Sequence, residues 1–404
     1  MIPVAEAQAR VRAAFRPLAP ELVSLAEAHG RVLAEDLVSR RTQPPFAVSA
    51  MDGYAVRGAD VAVAGARLKL VGYAPAGARH HGTVGPGEAV RIFTGAPLPA
   101  GTDTIVIQED TAADGDMVEM RIAATEGRHV RREGLDFVAG ETVLRAGTRL
   151  GARQLGLAAA MNRPWLNVRR RPRVAILPTG DEVALPGEPI GPDQIVSSNG
   201  TALAAIVAAA GGIPIQLGVA PDDERALLAL AEGAAGTDLL VTSGGASVGD
   251  HDLVRKALGD GGLAVDFWQI AMRPGKPLMF GRLGQVPVLG LPGNPVSVIV
   301  CSLIFLVPAL EIMQGMPGAG PLAEPAVAGL PLPANDRRQD YLRAVVESDS
   351  AGRLVASAAS IQDSSMMSTL AGADGLIVRP PHAPAAAAGD PVSVIRFATG
   401  ALPI

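Results

Sequence analysis

The sequence predicts a multi-domain chain of α/β plus β class, and three observations carry that prediction. Residues 173–315 alternate strand-like and helix-like runs, the pattern of parallel strands joined by crossover helices. The segments on either side are short β-like runs punctuated by Gly and Pro. At 404 residues the chain is long enough for about two to four bodies of ordinary size.

In chain order, a helix is expected over residues 6–18, followed by β-like runs such as RLKLVGYAPAG (67–77) and GEAVRIFTGAPLPAGTDTIVIQED (87–110). The basic stretch NVRRRPR (167–173) has no aromatic residue or further basic extension, so it reads as a solvated boundary. Beyond it come RVAILPTG, NGTALAAIVAAAGG, PIQLGVA, DDERALLALAEGA, TDLLVTSGG, DHDLVRKALG, VPVLGLPG and an apolar helix after Asn294. After residue 316 the runs YLRAVVE, GLIVRP and PVSVIRF predict a small β domain.

Aromatic residues make up only 3% of the chain and the formal net charge is -5, which argues against nucleic acid and favours a small-molecule partner. The single cysteine, Cys301, excludes a disulfide framework or a thiolate cluster from this chain alone, and in an apolar helix it reads as a small buried hydrophobe. The N-terminus lacks the pattern of a secretory signal, and the longest apolar run, 296–307, lies between Pro295 and Pro308, short of the roughly 18 residues of a membrane span. A cytoplasmic enzyme is expected. His80 and His81 sit in a Gly-rich loop without carboxylates at ligand spacing and are expected to be exposed.

Four loops carry the chemistry. VTSGGASVGDHD (241–252) leaves a strand through Gly244 and Gly245, and successive small residues there can turn backbone N–H groups toward a phosphate. It is not a P-loop, because Asp250 and His251 stand where that motif needs Lys and Ser/Thr. Asp250 and Asp252 are hard oxygen ligands suited to Mg²⁺, although Asp250 taken alone reads as a helix cap. MRPGKP (272–277) fixes Arg273 and Lys276 in a proline-flanked turn suited to an anion, a pattern that also occurs as a plain surface turn. GLPGNPVS (290–297) defines a helix start, with Asn294 as N-cap, Pro295 at the first position and Ser297 in the first turn. PTGDEV (178–183) adds Asp181 and Glu182. All four are expected at the carboxyl ends of parallel strands, converging on one sheet edge.

With SAMDGYAV (49–56), IFTGAPLPAGTDTIV (92–106), EGLDFVAG (133–140) and RRQDYLR (337–343), these motifs resemble the molybdopterin molybdenumtransferase family, which is related to the gephyrin E domain. The resemblance runs from near residue 6 to near residue 397. It implies a discontinuous linker-like region (1–40 and 138–168), an inserted β domain (41–137), a central doubly wound α/β domain resembling molybdopterin adenylyltransferase (169–315) and a C-terminal β barrel (316–404). It further implies a homodimer, with the cleft between the α/β and C-terminal domains completed by the inserted domain of the other subunit. The implied reaction is insertion of molybdate into adenylylated molybdopterin with Mg²⁺-dependent release of AMP, and contact with a molybdopterin adenylyltransferase is expected.

Carried over position by position, molybdate would meet Lys276, Arg273, Ser297, Arg338 and a hydroxyl of Ser364 or Ser365. Gly244, Gly245, Ser247, Gly249 and Asn294 would frame the substrate. Asp252, with Asp250, would hold Mg²⁺, and Asp52, Asp136, Glu182 and Thr94 match acidic or neighbouring positions important to activity. The family often has Lys where Arg273 stands and Arg where Met366 stands. An adenylyltransferase, a scaffold and a tungstate-specific relative are the rival readings. Because the metal's soft ligands come from the dithiolene of the substrate, the protein needs no cysteine ligand.

Overall fold

The computed structural model describes residues 1–245, 259 and 262–397. Its central sheet has six strands in the order Ile213–Gln216, Arg173–Pro178, Leu239–Ser243, Val286–Leu291, Met279–Leu283 and Leu263–Phe267. The first four are parallel, as expected from the alternation. Met279–Leu283, a strand that the alternation did not single out, is antiparallel to both neighbours. Its reversal is a tight hairpin in which Leu283 pairs with Val286, and Gly284 at φ 58° supplies the left-handed backbone that such a turn requires. Two reversals leave residues 268–278 at the rim where the parallel strands also end.

Alternation along Arg173–Pro178 shows why helices cover both faces. Val174 and Ile176 enter a core with Asn199–Ala209 and the helix after Asn294, while Ala175 and Leu177 enter a second core with Glu224–Glu232. Asp238 pins the entry of the sheet: its carboxylate accepts from Arg170 at 2.9 and 2.7 Å and from the Arg173 N–H at 2.7 Å. The sequence boundary NVRRRPR is therefore tied to the sheet edge instead of being wholly solvated.

The apolar helix is longer than the sequence suggested. It runs continuously over Pro295–Met313, 19 residues of mean hydropathy 2.4, long and apolar enough to cross a membrane, and 83% of that window is buried inside the protein. Pro308 does not end it. Immediately upstream the turn Ser302–Leu306 is π-helical, with the Val307 N–H bonded to the Ser302 carbonyl, a widening that accommodates a residue without an N–H to donate. Cys301 on this helix is fully buried, and burial pushes its thiol up from the ordinary range. A maleimide at neutral pH is accordingly expected to leave Cys301 unlabelled in the native chain and to label it fully in denaturant, as read by mass spectrometry.

The N-terminal helix spans Val4–Ala13, ending before the expected residue 18 because Pro17 disfavours helical backbone at Arg16. Its buried face, Val4, Ala7 and Val11, joins the core of the α/β body. An antiparallel ribbon of Pro20–Ser24 with Trp165–Arg169 and the helix Ala152–Ala160 form a separate body. Residues 53–120 build a second six-stranded sheet, where His80 packs half-buried over the backbone at Gly72 and not in the open as expected. Gln339–Ser348, Leu354–Ala358, Glu324–Ala328, Pro391–Arg396 and Gly375–Arg379 close into a five-stranded barrel, the last pairing with the first. The short strand Met272–Arg273 adds to that barrel sheet in parallel with Gln339 and Asp340.

Candidate functional site

One cleft of about 940 Å³ opens between the carboxyl ends of the central strands and the barrel. The loops 178–183, 243–245, 272–277 and 292–297 line it from one side and Arg338 with residues 362–365 from the other. Lys276 and Ser297 thus share a single cleft, as the convergence of four loops on one rim demands.

Gly244 occupies φ 94°, and a Cβ there would come within 2.6 Å of the Thr179 carbonyl oxygen. Two strand-end loops therefore cross where only hydrogen fits, which explains the first glycine of the pair. Gly293 meets the Cα of Gly244 from the third loop at 3.5 Å from its own would-be Cβ. Buried side-chain oxygens of Thr179, Ser243 and Asn199, all residues of the cleft lining, have no hydrogen-bond partner. Such unpaired groups each cost about 1–3 kcal/mol and so mark a place where a polar ligand is accommodated.

Asn294 does stand at the N-cap and Pro295 at the first helical position, but the Asn294 side chain does not cap. It donates to the Ser364 hydroxyl at 2.7 Å, while the Ser364 carbonyl accepts the Val296 N–H at 3.1 Å. The barrel loop is thus the cap of this helix. Ser297, only 4% exposed, still lines the cleft. Ser365 donates to Asp363 at 2.6 Å, and that hydroxyl, with the Ser365 N–H, holds the Asp363 carboxyl below its ordinary value.

The two arginines are engaged. Arg273 donates to the buried Asp340 through Nε at 2.9 Å and through Nη2, and to Asp336 through Nη1 at 3.4 Å. Arg338 donates to Asp336 through Nη2 at 2.7 Å. That bond to Arg338 holds the Asp336 carboxyl well below the carboxylate range, whereas burial pushes Asp340 up against the pull of Arg273. Lys276 differs from both in having no carboxylate partner among the described residues. Glu182 lines the far end of the cleft with an exposed side chain.

Asp52, Thr94 and Asp136 do not line this cleft. Asp52 accepts from the Thr94 backbone N–H at 2.8 Å and its hydroxyl at 2.7 Å, the N–H first and the hydroxyl second in lowering its carboxyl pKa. Thr94→Ala is expected to raise the Asp52 value toward the ordinary one without reaching it, since the backbone N–H remains, as a carboxyl-carbon NMR titration would read. Asp136 is exposed on the segment 133–140, its N–H bonded to the Gln43 carbonyl. Ser247, Gly249, Asp250 and Asp252 lie outside the described residues.

Sequence reasoning missed Asp336, Asp340, Asn335 and Arg343. Asn335 ties the barrel loop together by donating to the carbonyls of Arg338, Arg379 and Pro380 at 2.8, 3.1 and 2.9 Å. Arg343, 1% exposed, shapes the loop carrying the serine pair by donating to the carbonyls of Asp363 and Met366 at 2.8 and 3.2 Å. A polar run as dense as NDRRQD was the available signal, and only its cations were read.

With that geometry in place, comparison with known proteins is informative. Residues 2–162 match the MoeA N-terminal region (domain I and II), 175–312 a probable molybdopterin binding domain and 325–397 the MoeA C-terminal region (domain IV). The chain is 39% identical to molybdopterin molybdenumtransferase 2 of Mycobacterium tuberculosis (strain CDC 1551 / Oshkosh) over 85% of its length and 87% of that protein's. It is 40% identical to the molybdopterin molybdenumtransferase of Nostoc sp. over 73% of this chain and 70% of that one. The solved molybdopterin biosynthesis MoeA protein from Pyrococcus horikosii superposes with a TM-score of 0.84 at 32% identity, covering 98% of this chain and 99% of that one. The chain therefore belongs to the molybdopterin molybdenumtransferase family and is an enzyme of molybdenum cofactor biosynthesis.

Proposed function

We propose that the chain inserts molybdate into adenylylated molybdopterin with Mg²⁺-dependent release of AMP, giving molybdenum cofactor. The observation that carries this reading is the single cleft that a glycine turn with unpaired hydroxyls shares with Lys276, Arg273 and Arg338. The turn and the orphaned oxygens of Thr179, Ser243 and Asn199 suit the polar nucleotide end of the substrate. The cations, with Ser297 and the serine pair 364–365, suit a tetrahedral dianion.

In the reaction, the two dithiolene thiols displace one oxide of molybdate, which leaves with their protons as water. Separately, a water oxygen attacks one phosphorus of the pyrophosphate, and the bond to the bridging oxygen breaks to free AMP. Lys276, Arg273 and Arg338 hold the oxyanion beside the sulfur pair; their positive charge offsets the negative charge of molybdate so that the thiol sulfurs can approach it as their protons pass to the departing oxide. Asn294 fixes Ser364 at the mouth of the same pocket.

Mg²⁺ attached to a phosphate keeps several waters and needs only one or two protein carboxylates. No group of three His, Cys, Asp or Glu is assembled among the described residues, and the cleft lining contains the carboxylates Glu182 and Asp222, a donor set that fits such a loosely held ion. Asp252 and Asp250 belong to the same reading. Bound there, the ion would neutralise phosphate charge. Because Asp52, Thr94 and Asp136 lie outside the cleft of one chain, their part in the reaction goes with a homodimer whose inserted domain reaches the partner's cleft. Contact with an adenylyltransferase would deliver the labile substrate.

The test supplies adenylylated molybdopterin and Mg²⁺ with molybdate or tungstate, then follows AMP release together with activation of an apo-molybdoenzyme. AMP release that needs both Mg²⁺ and the oxyanion is expected. Release no faster than without the chain would overturn the proposal.

A further inference from the structure

We propose that Asp336 is a built-in competitor for the oxyanion: its carboxylate bridges the guanidinium groups of Arg338 and Arg273, and the incoming dianion must displace it. The inference rests on the reading above that these cations bind molybdate.

The two carboxylates that meet Arg273 differ in kind. The Asp340 side chain is 4% exposed and takes both Nε and Nη2 of Arg273, a two-point contact buried on the carboxylate side and suited to fixing the guanidinium plane. The Asp336 side chain is 45% exposed and reaches both arginines, at 2.7 Å from Arg338 Nη2 and 3.4 Å from Arg273 Nη1. Exposed pairs of this sort are worth little on their own and exchange readily. Asp336 Oδ1 also accepts the Arg338 backbone N–H at 2.8 Å, a local turn bond that an Asn or Ser side-chain oxygen can also make, so what its charge adds is the place of an anion.

The loop has other supports. Asn335 donates to three carbonyls and accepts Arg273 Nη2 at 3.2 Å and the Asp336 N–H at 2.9 Å. Loss of the Asp336 charge leaves these bonds in place. What changes is the charge the arginines present: with Asp340 balancing one cation and Asp336 another, the resting cluster of Arg273, Arg338 and Lys276 carries a net charge near that of one cation. A dianion can take the arginines from a single carboxylate, whereas a monoanion offers them nothing that Asp336 does not. Asp336 would thus set selection for doubly charged oxyanions and hasten their release.

The test is calorimetric titration of the full-length chain with sodium molybdate, without the pterin substrate, for the wild type, Asp336→Asn, Asp336→Ser and Asp340→Asn. Both Asp336 variants are expected to lower the molybdate Kd about tenfold, roughly 1.4 kcal/mol, and Asp340→Asn to raise it. A residue that merely shapes the loop would weaken binding when replaced. An unchanged or higher Kd in the Asp336 variants overturns the proposal, and so does equal tightening by Asp340→Asn. Should AMP release fail in the parallel assay while Asp336→Asn still tightens molybdate, the competitor stands and the reaction falls. Absence of molybdate binding in every variant removes the oxyanion site and the competitor with it.

Discussion

Lys276→Ala is expected to reduce molybdate-dependent AMP release between about tenfold and a hundredfold, the range for losing a hydrogen bond to a charged group. The physical reason is the unequal state of the three cations. Arg273 and Arg338 already face carboxylates, so the ammonium of Lys276 is the one positive group in the cleft lining with no carboxylate partner among the described residues. Removing it leaves two guanidinium groups balanced by Asp336 and Asp340, and the incoming dianion then meets a cluster near neutrality. Lys276→Arg, which keeps the charge, is expected to retain more activity than Lys276→Ala. Binding of the adenylylated pterin should change little, because the glycine turn and the orphaned hydroxyls belong to the loops 178–183 and 243–245 and not to the turn that carries Lys276. Initial rates across a molybdate series, with pterin affinity measured separately by calorimetry, read the two effects apart. Equal loss in both would end the division of labour between the glycine turn and the cations.

The second large effect is expected at Gly275. The residue occupies φ 112°, and a Cβ there would sit 2.4 Å from the Cys301 Sγ, inside the fully buried start of the long helix. Gly275→Ala therefore meets two penalties, an unfavourable backbone conformation and a clash with a side chain that has no room to retreat. Together these should destabilise the chain by about 2–4 kcal/mol and displace Lys276, which follows directly. A lower denaturation midpoint and a raised KM for molybdate are the expected readings. Cys301→Ala combined with Gly275→Ala should recover the part due to the clash and leave the backbone part. Full additivity of the two changes would show that Gly275 and Cys301 do not constrain each other.

The loops of the cleft were legible in the sequence because each advertises itself locally. Asn294-Pro295 announces a helix start, and Gly244-Gly245 after an apolar run announces an abrupt exit from a strand. Their convergence followed from strand direction alone. The direction of Met279–Leu283 was not legible, since an apolar run reads the same in either sense and only the Gly284 hairpin reverses it. Pro308 misled because a proline ordinarily ends a helix, and the π turn before it is a tertiary compromise with no local signature. Pairing of Arg273 with Asp336 and Asp340 spans more than 60 residues and depends on the barrel docking against the α/β body. Local pattern cannot supply that, so the carboxylates were overlooked while the cations beside them were found. Asp52 and Thr94 were found through the family motif, and their mutual hydrogen bonds appear only once Gly53–Val56 and Glu88–Ile92 pair as neighbouring strands.

The strand Met272–Arg273 belongs to the barrel by its hydrogen bonds, yet the residues flanking it, Ile270 and Leu278, are packed in the α/β core. The two bodies are consequently riveted here and again where Ser364 meets Asn294 and the Val296 N–H, with barrel residues such as Tyr341 and Leu376 packed into the same core. Because both fastenings border the cleft, Arg273, Lys276 and Ser297 owe their common placement to the docking of two bodies, and a change that undoes that docking dismantles the pocket as a whole.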